Sequence, residues 1–137
     1  MIKIYIDAAT NQKYHLSGGG MIILKNQQQI QIHQELKAKT NNEAEFEMLY
    51  QTLVYIKSQN WCNETIFIYT DSRIVAQSIE KKYVKDVVFD CYLQKILLLM
   101  DDFILLFVEW KPESSNKGAD KIAKQALQKR LKEKLIN

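Results

Sequence analysis

Proline is nearly absent: Pro112 is the single one in 137 residues, and glycine occurs four times. That scarcity excludes collagen and low-complexity linkers. The two cysteines, Cys62 and Cys91, stand alone, with no C-x-x-C spacing. A disulfide framework and a zinc-thiolate site are therefore not expected, and a reducing, cytoplasmic location is. Histidine is equally sparse: His15 and His33 are isolated, and neither is assigned to catalysis. Long apolar runs are missing too. Ile96–Met100 and Phe103–Val108 are interrupted by Asp101 and Asp102. Neither approaches the roughly 20 apolar residues of a membrane span. Met1-Ile2-Lys3-Ile4 leads straight into a strand-like pattern, so no signal peptide is expected.

What is present is ordinary globular material, 47% hydrophobic and 26% charged. The length predicts one domain over residues 1–137, large enough to bury a core without disulfides or a structural metal. A monomer is the expected state. The net charge of +3 permits a nucleic-acid partner without demanding one.

Periodicity orders the elements. Lys3-Ile4-Tyr5-Ile6-Asp7 alternates as a first strand, and Asn11–Lys13 reads as a turn. Gly18-Gly19-Gly20 leads into a second strand, Met21–Leu24. Gln29–His33 alternates strictly as a third, antiparallel to the second with one wet face. Helical spacing then runs from about Asn42 to Gln59. Ile66–Thr70 is a fourth strand, apolar enough to predict burial on both faces. Helices follow over Ser72–Lys81 and Val87–Asp102, then a fifth strand over Ile104–Trp110, then a helix from Asn116 to the C-terminus. The order β-β-β-α-β-α-α-β-α predicts an α/β fold, a mixed five-stranded sheet with helices on both faces. The fourth strand should lie beside the first.

Four carboxylates fall at element ends. Asp7 closes the first strand, and Asp71 follows the fourth. Parallel neighbours would bring both to one sheet edge, where open α/β sheets place ligands. Glu45 lies in the first turn of the helix after Thr40-Asn41-Asn42, and Asp120 in the first turn of the last helix. Singly, each has a structural alternative. Glu45 could complete a capping box with Asn42, or Thr40 could pair with Glu43 in that role. Asp71 could cap a helix, Asp120 could complement a helix dipole, and Asp7 could begin a turn. Jointly, four acids at one edge repel and take up protons unless cations neutralise them. Oxygen ligands without His or Cys suit Mg²⁺ or Mn²⁺ rather than zinc. Two such ions are the usual device for in-line phosphodiester displacement.

These residues carry a resemblance. Ile4-Tyr5-Ile6-Asp7, Thr40-Asn41-Asn42-Glu43-Ala44-Glu45, Tyr69-Thr70-Asp71-Ser72 and Asn116-Lys117-Gly118-Ala119-Asp120-Lys121-Ile122-Ala123 come in the order and spacing of type 1 ribonuclease H. They span nearly the whole chain, and the second and fourth motifs are specific when found together. The resemblance implies a ribonuclease H-like fold and an Asp7-Glu45-Asp71-Asp120 site for two Mg²⁺ ions, with Mn²⁺ as a substitute. It implies endonucleolytic cleavage of the RNA strand in RNA–DNA hybrids, leaving 5′-phosphate and 3′-hydroxyl ends. By the family pattern Asp7 bridges both metals. Asp120 helps hold the ion that activates water, and Glu45 and Asp71 hold the one on the leaving-group side. Glu45 and the backbone of Ala8 and Ala9 would sense ribose 2′-hydroxyls. Asn41 and Asn42 would donate in the minor groove, Thr40 would grip a DNA-strand phosphate, and Asn116 joins the substrate contacts.

Departures from the pattern are equally specific. Ala8 stands where the family usually has glycine, which crowds the backbone approach to substrate. The loop Lys111-Pro112-Glu113-Ser114-Ser115 lacks the histidine many members carry, leaving Lys111 or Glu113 as substitutes. Lys81-Lys82-Tyr83-Val84-Lys85 is a meagre counterpart of a basic protrusion. With no hybrid-binding domain ahead of residue 1, weak and salt-sensitive substrate affinity is expected. Among residues outside the motifs, Arg73 is a candidate phosphate contact, with an exposed helix-start arginine as the equal alternative. The lysines and Arg130 of the last helix read first as a solvated face. Trp61 and Trp110 read as packing residues. Gly18–Gly20 is no phosphate loop, because no Lys-Ser/Thr follows, and suits a close strand or substrate approach.

Three functions compete. The leading one is a Mg²⁺-dependent ribonuclease H. A resolvase-like or transposase-like DNA nuclease keeps the fold, and Thr40–Glu45 argues against it. A nucleic-acid-binding module without turnover is the third, and an uncompensated acidic cluster argues against that.

Overall fold

A five-stranded mixed sheet forms the centre of the computed structural model, which describes residues 1–136. Asn137, the last residue of the expected final helix and domain, lies outside the described residues. The strands are β1 (Ile2–Asn11), β2 (Leu16–Lys25), β3 (Gln28–Leu36), β4 (Thr65–Thr70) and β5 (Leu105–Trp110). The helices are α1 (Asn41–Ser58), α2 (Arg73–Lys81), α3 (Val87–Met100) and α4 (Lys117–Ile136), the last preceded by a 3₁₀ turn over Glu113–Ser115. The order across the sheet is β3-β2-β1-β4-β5, with β1–β2 and β2–β3 antiparallel and β1–β4 and β4–β5 parallel.

Two expectations need correction here. Asp7 does not close the first strand: β1 runs on to Asn11, because β2 pairs with it from Leu16 onward. The glycines are not a lead-in to β2 but its interior. Each removes a side chain at a contact. A Cβ on Gly19 would strike the Met48 sulfur on the α1 side, and one on Gly18 would strike the α4 backbone at Leu127.

One face of the sheet packs on α1, with α3 behind it. Ile2, Ile4, Ile6, Phe46, Leu49, Leu53 and Ile56 are fully buried there, each contributing about 1.5–3 kcal/mol of apolar burial. Phe46 stacks on Phe89 of α3 with ring centroids 5.1 Å apart, tying α3 to α1. The other face packs on α4 through Ala119, Ile122, Ala123, Ala126 and Leu127. That helix lies over β2, β1 and β3 and leaves β4 and β5 uncovered on its side. The expected burial of both faces of β4 is thus only partial: Ile66 and Ile68 are buried, whereas Phe67 is half-buried against Phe107. No described helix is long and apolar enough to cross a membrane.

Candidate active site

The site begins with β1, the central strand. Asp7 pairs in register with Gly20 of β2, and one residue earlier Ile6 pairs with Thr70, the last residue of β4. Asp71 therefore leaves β4 alongside Asp7. The Asp7 side chain lies on the α4 face of the sheet, between two neighbouring strands, and only 5% of the residue is exposed.

Glu45 reaches the same point from α1. Thr40 is the N-cap of that helix, its Oγ1 accepting from the Glu43 N–H at 3.4 Å. This is the Thr40–Glu43 alternative, without the reciprocal bond, because Glu43 Oε1 instead accepts from the Tyr92 hydroxyl at 3.1 Å. Glu45 is consequently free of capping. It is the fifth helical residue, just past the first turn where it was expected, and it is buried. Asp71 is not a cap either, since Ser72 fills that role for α2 by accepting from the Val75 N–H at 3.3 Å.

Asp120 arrives on α4 because Gly20 lacks a side chain. A Cβ at Gly20 would lie 2.5 Å from both the Ala119 carbonyl oxygen and the Ala123 nitrogen. The first turns of α4 therefore seat directly over the residue paired with Asp7. Asn116 holds the same junction. Its Nδ2–H donates to the Ile6 carbonyl at 2.8 Å, and its own carbonyl accepts from the Asp120 N–H at 3.1 Å.

Carboxylate oxygens of Asp7, Glu45 and Asp71 lie within 4.8 Å of one another. Asp120 stands next to Asp7 but outside that set, with Oδ2 paired to Lys124 Nζ at 3.0 Å. Three of the four acids are thus brought together, and the fourth flanks them. Burial, and then the Asp71 charge, push the Asp7 carboxyl up to about 7, against a partial offset from the Ala8 N–H that donates to its Oδ1 at 2.9 Å. Burial raises Glu45 well above the usual carboxylate range, and the Asp7 and Asp71 charges add to it. Burial also raises Asp71, opposed by the Asn116 amide and assisted by Glu113. Glu45 Oε2 is buried and accepts no hydrogen bond, as is Asn116 Oδ1. An orphaned buried carboxylate oxygen facing two further carboxylates fits a divalent cation with oxygen ligands.

The remaining sequence-derived residues divide between the rim and the interior. Thr40, Asn41 and Asn42 are exposed at the start of α1, beside the acids. Ala8 is buried next to Asp7, and Ala9 is half-buried. Asn116 is 2% exposed and sits beneath the acids, not on the rim. The Arg73 guanidinium lies 3.9 Å from the Trp110 ring centroid, and Trp110 Nε1–H donates to the Asp71 carbonyl at 3.2 Å. Trp110 thereby joins Arg73 to the site, a link the packing reading of that tryptophan did not contain. Lys111 Nζ lies 4.2 Å from the Tyr69 ring centroid, while Glu113 lines a cavity with Ser114, Lys117 and Asp120.

Glu47 was not singled out in the sequence. It is only 4% exposed, and its carboxylate faces the backbone ahead of Thr40. No motif marks it, because its burial depends on where the β3–α1 connection passes.

Comparisons with known proteins agree with this geometry. The family described as "Reverse transcriptase-like" matches residues 5–126. A protein named "Putative hydrolase EbsB" from Enterococcus faecalis is 43% identical over 129 residues, covering 94% of this chain and 96% of its own. The crystal structure of RNase H1 from the halophilic archaeon Halobacterium salinarum superposes with a TM-score of 0.82 at 18% identity, covering 93% of this chain and 98% of that one. LC11-RNase H1 in complex with an RNA/DNA hybrid gives 0.79 at 20% identity, over 96% and 99%. The sheet order, the match along most of the chain and the close relative together identify the chain as a member of this family, a small type 1 ribonuclease H-like protein.

Proposed function

We propose that the protein is an endonuclease that hydrolyses the RNA strand of RNA–DNA hybrids with two Mg²⁺ ions, leaving 5′-phosphate and 3′-hydroxyl ends. The observation that carries this reading is that oxygens of buried Asp7 and Glu45 and of half-buried Asp71 lie within 4.8 Å of one another, with Asp120 beside them. Such a set is unfavourable by itself and becomes favourable when divalent cations neutralise it.

Asp7, Glu45, Asp71 and Asp120 would hold the metal. Bound ions would supply charge stabilisation at the attacking and leaving oxygens of an in-line displacement. The chain's own residues do the rest. Thr40, Asn41 and Asn42 present hydroxyl and amide groups at the exposed start of α1, suited to a phosphate and to minor-groove edges. Glu45, with the backbone of Ala8 and Ala9, lies where a ribose 2′-hydroxyl would be sensed. Arg73, flattened on Trp110, offers a preorganised guanidinium to a phosphate beside Asp71. Asn116 orients Asp71 and the start of α4 from below.

The test is cleavage of a strand-labelled hybrid in Mg²⁺, in EDTA, and by Asp71→Asn. RNA-strand cleavage that needs both the metal and Asp71 is expected. Cleavage of duplex or branched DNA alone would point to a DNA nuclease. Hybrid binding without turnover in either Mg²⁺ or Mn²⁺ would leave a binding module.

A further inference from the structure

A second cluster of buried polar groups lies on the other side of Thr40 from the acids. The Glu47 carboxylate accepts from two consecutive backbone amides of the β3–α1 connection. Lys37 N–H reaches both oxygens at 2.9 Å, and Ala38 N–H reaches Oε1 at 2.7 Å. From the opposite side the Ser17 hydroxyl donates to the Ala38 carbonyl at 2.8 Å, and Ser17 Oγ lies 2.7 Å from Thr10 Oγ1. Arg130 completes the enclosure, its Nη1 donating to the carbonyls of Ser17 and Leu36. Ser17, Leu36, Ala38 and Glu47 are all buried. The backbone from Leu36 to Ala38 is thus pinned by side chains of β2, α1 and α4.

The chemistry needs a carboxylate. Adjacent amides point two donors at one spot, and a carboxylate meets them with acceptors only. A glutamine would turn an NH₂ group toward one of those donors. Burying a carboxylate is costly, and the enclosed amides would also be left unpaired without it. The connection could have been satisfied more simply in solvent, so the site of the lock is informative. Thr10 lies three residues beyond Asp7 on β1. Glu47 lies two residues beyond Glu45 on α1. The clamped segment leads directly into Thr40-Asn41-Asn42.

We propose that Glu47 is a positioning residue for nucleic-acid binding: with Ser17 it clamps residues 36–38 so that Thr40, Asn41 and Asn42 meet the substrate already ordered. This rests on the hybrid-cleaving reading above. A loop held in its binding geometry avoids an ordering cost that binding would otherwise bear. Neither Glu47 nor Ser17 belongs to the metal set, so the lock should act on substrate affinity and not on the ions.

The experiment is steady-state hybrid cleavage in Mg²⁺ by Glu47→Gln, Ser17→Ala and the double variant, with calorimetric Mg²⁺ titration of each. For Glu47→Gln, KM should rise about tenfold, equivalent to about 1.4 kcal/mol. Its kcat should stay within about twofold, a split that marks lost binding rather than lost chemistry. Mg²⁺ affinity should not change. Ser17→Ala should raise KM in the same direction, and the double variant should fall short of the product of the two. Unchanged KM in both single variants, with only a lowered melting temperature, overturns the proposal and leaves a folding lock. Lost Mg²⁺ binding overturns it in favour of a metal-site role. Should Glu47→Gln not fold, Ser17→Ala decides alone, by a raised or an unchanged KM. A wild-type protein that does not cleave the hybrid is a separate outcome, which removes the functional reading and this inference with it.

Discussion

Asn116 and Ile6, 110 residues apart, are joined by a buried hydrogen bond of 2.8 Å from the asparagine Nδ2–H to the isoleucine carbonyl. It ties the start of α4 to β1 one residue before Asp7. The same asparagine's main-chain carbonyl accepts from the Asp120 N–H, so one residue joins the placement of Asp7 to that of Asp120.

Replacing that asparagine tests the coupling. Asn116→Ala leaves the Ile6 carbonyl without its buried donor, while the main-chain bond from the Asp120 N–H persists. A stability loss of about 1–3 kcal/mol is expected, the cost of an unsatisfied buried group. Hybrid cleavage should fall more than tenfold in kcat, because the side-chain amide that ties the start of α4 to β1 and favours the charged form of Asp71 is lost. Urea denaturation and single-turnover cleavage check the two halves, and wild-type kcat in the folded variant would contradict the coupling.

Asp71→Asn should abolish cleavage and yet stabilise the metal-free protein. The Asp71 charge is the second cause, after burial, of the raised Asp7 carboxyl, so its removal relieves repulsion. A rise in Tm of about 3–5 °C, corresponding to about 1 kcal/mol, is expected in EDTA. In saturating Mg²⁺ the order should reverse, since the variant forfeits a ligand. Calorimetric melting of both proteins with and without Mg²⁺ reads this directly.

The pH dependence has a definite sign. Asp7 is raised in the folded protein from the ordinary 3.8 to about 7, so folding favours its protonated form. Its contribution to stability is complete below 3.8 and is lost progressively as pH rises to about 7. Glu45 and Asp71 shift in the same direction. Metal-free protein should therefore lose stability relative to Asp7→Asn between pH 4 and pH 7. Mg²⁺ should abolish the difference in trend. A wild-type melting curve that tracks Asp7→Asn across this range would sink the argument.

Gly20→Ala tests the seat of α4. The added methyl would meet main-chain atoms of Ala119 and Ala123, which cannot move aside without shifting the helix. A loss of about 3 kcal/mol or an expressed but misassembled protein is expected, as for overpacked cores. Where the variant folds, cleavage should fall through displacement of Asp120. Chemical denaturation and near-UV circular dichroism are the measurements, and unaltered values would contradict the close approach.

Much of the architecture was legible in the chain, because hydrophobic period is a local property. The alternation of Gln29–His33 and the helical stripe through Ala119, Ala123 and Ala126 each mark an element and its inner face. The acids were legible for another reason: four carboxylates fall at predicted element ends in four motifs, and the two that hold Glu45 and Asp120 are specific when found together. Element ends were read less well. Asp7 looked terminal because Ala8, Ala9 and Thr10 carry little strand signal, yet pairing to β2 extends the strand through them. Arg73 and Trp110 were read apart, since nothing local to residue 73 or residue 110 announces a 3.9 Å stacking contact. The lysine-rich helix read as a solvated face, and the contacts of Arg130 with the Ser17 and Leu36 carbonyls cannot be found in its own helix.

Which elements form, which of their faces are apolar and which four acids are candidates can be read from the chain alone. These follow from side-chain chemistry repeated at short range. Three-dimensional packing crowds Asp7, Glu45 and Asp71 within 4.8 Å while Asp120 pairs with Lys124. It also buries Glu47 while leaving Glu43, on the same helix, half-exposed. Burial and charge proximity come from segments far apart in the chain. A carboxylate's energy is set by the atoms that enclose it, not by its neighbours in sequence.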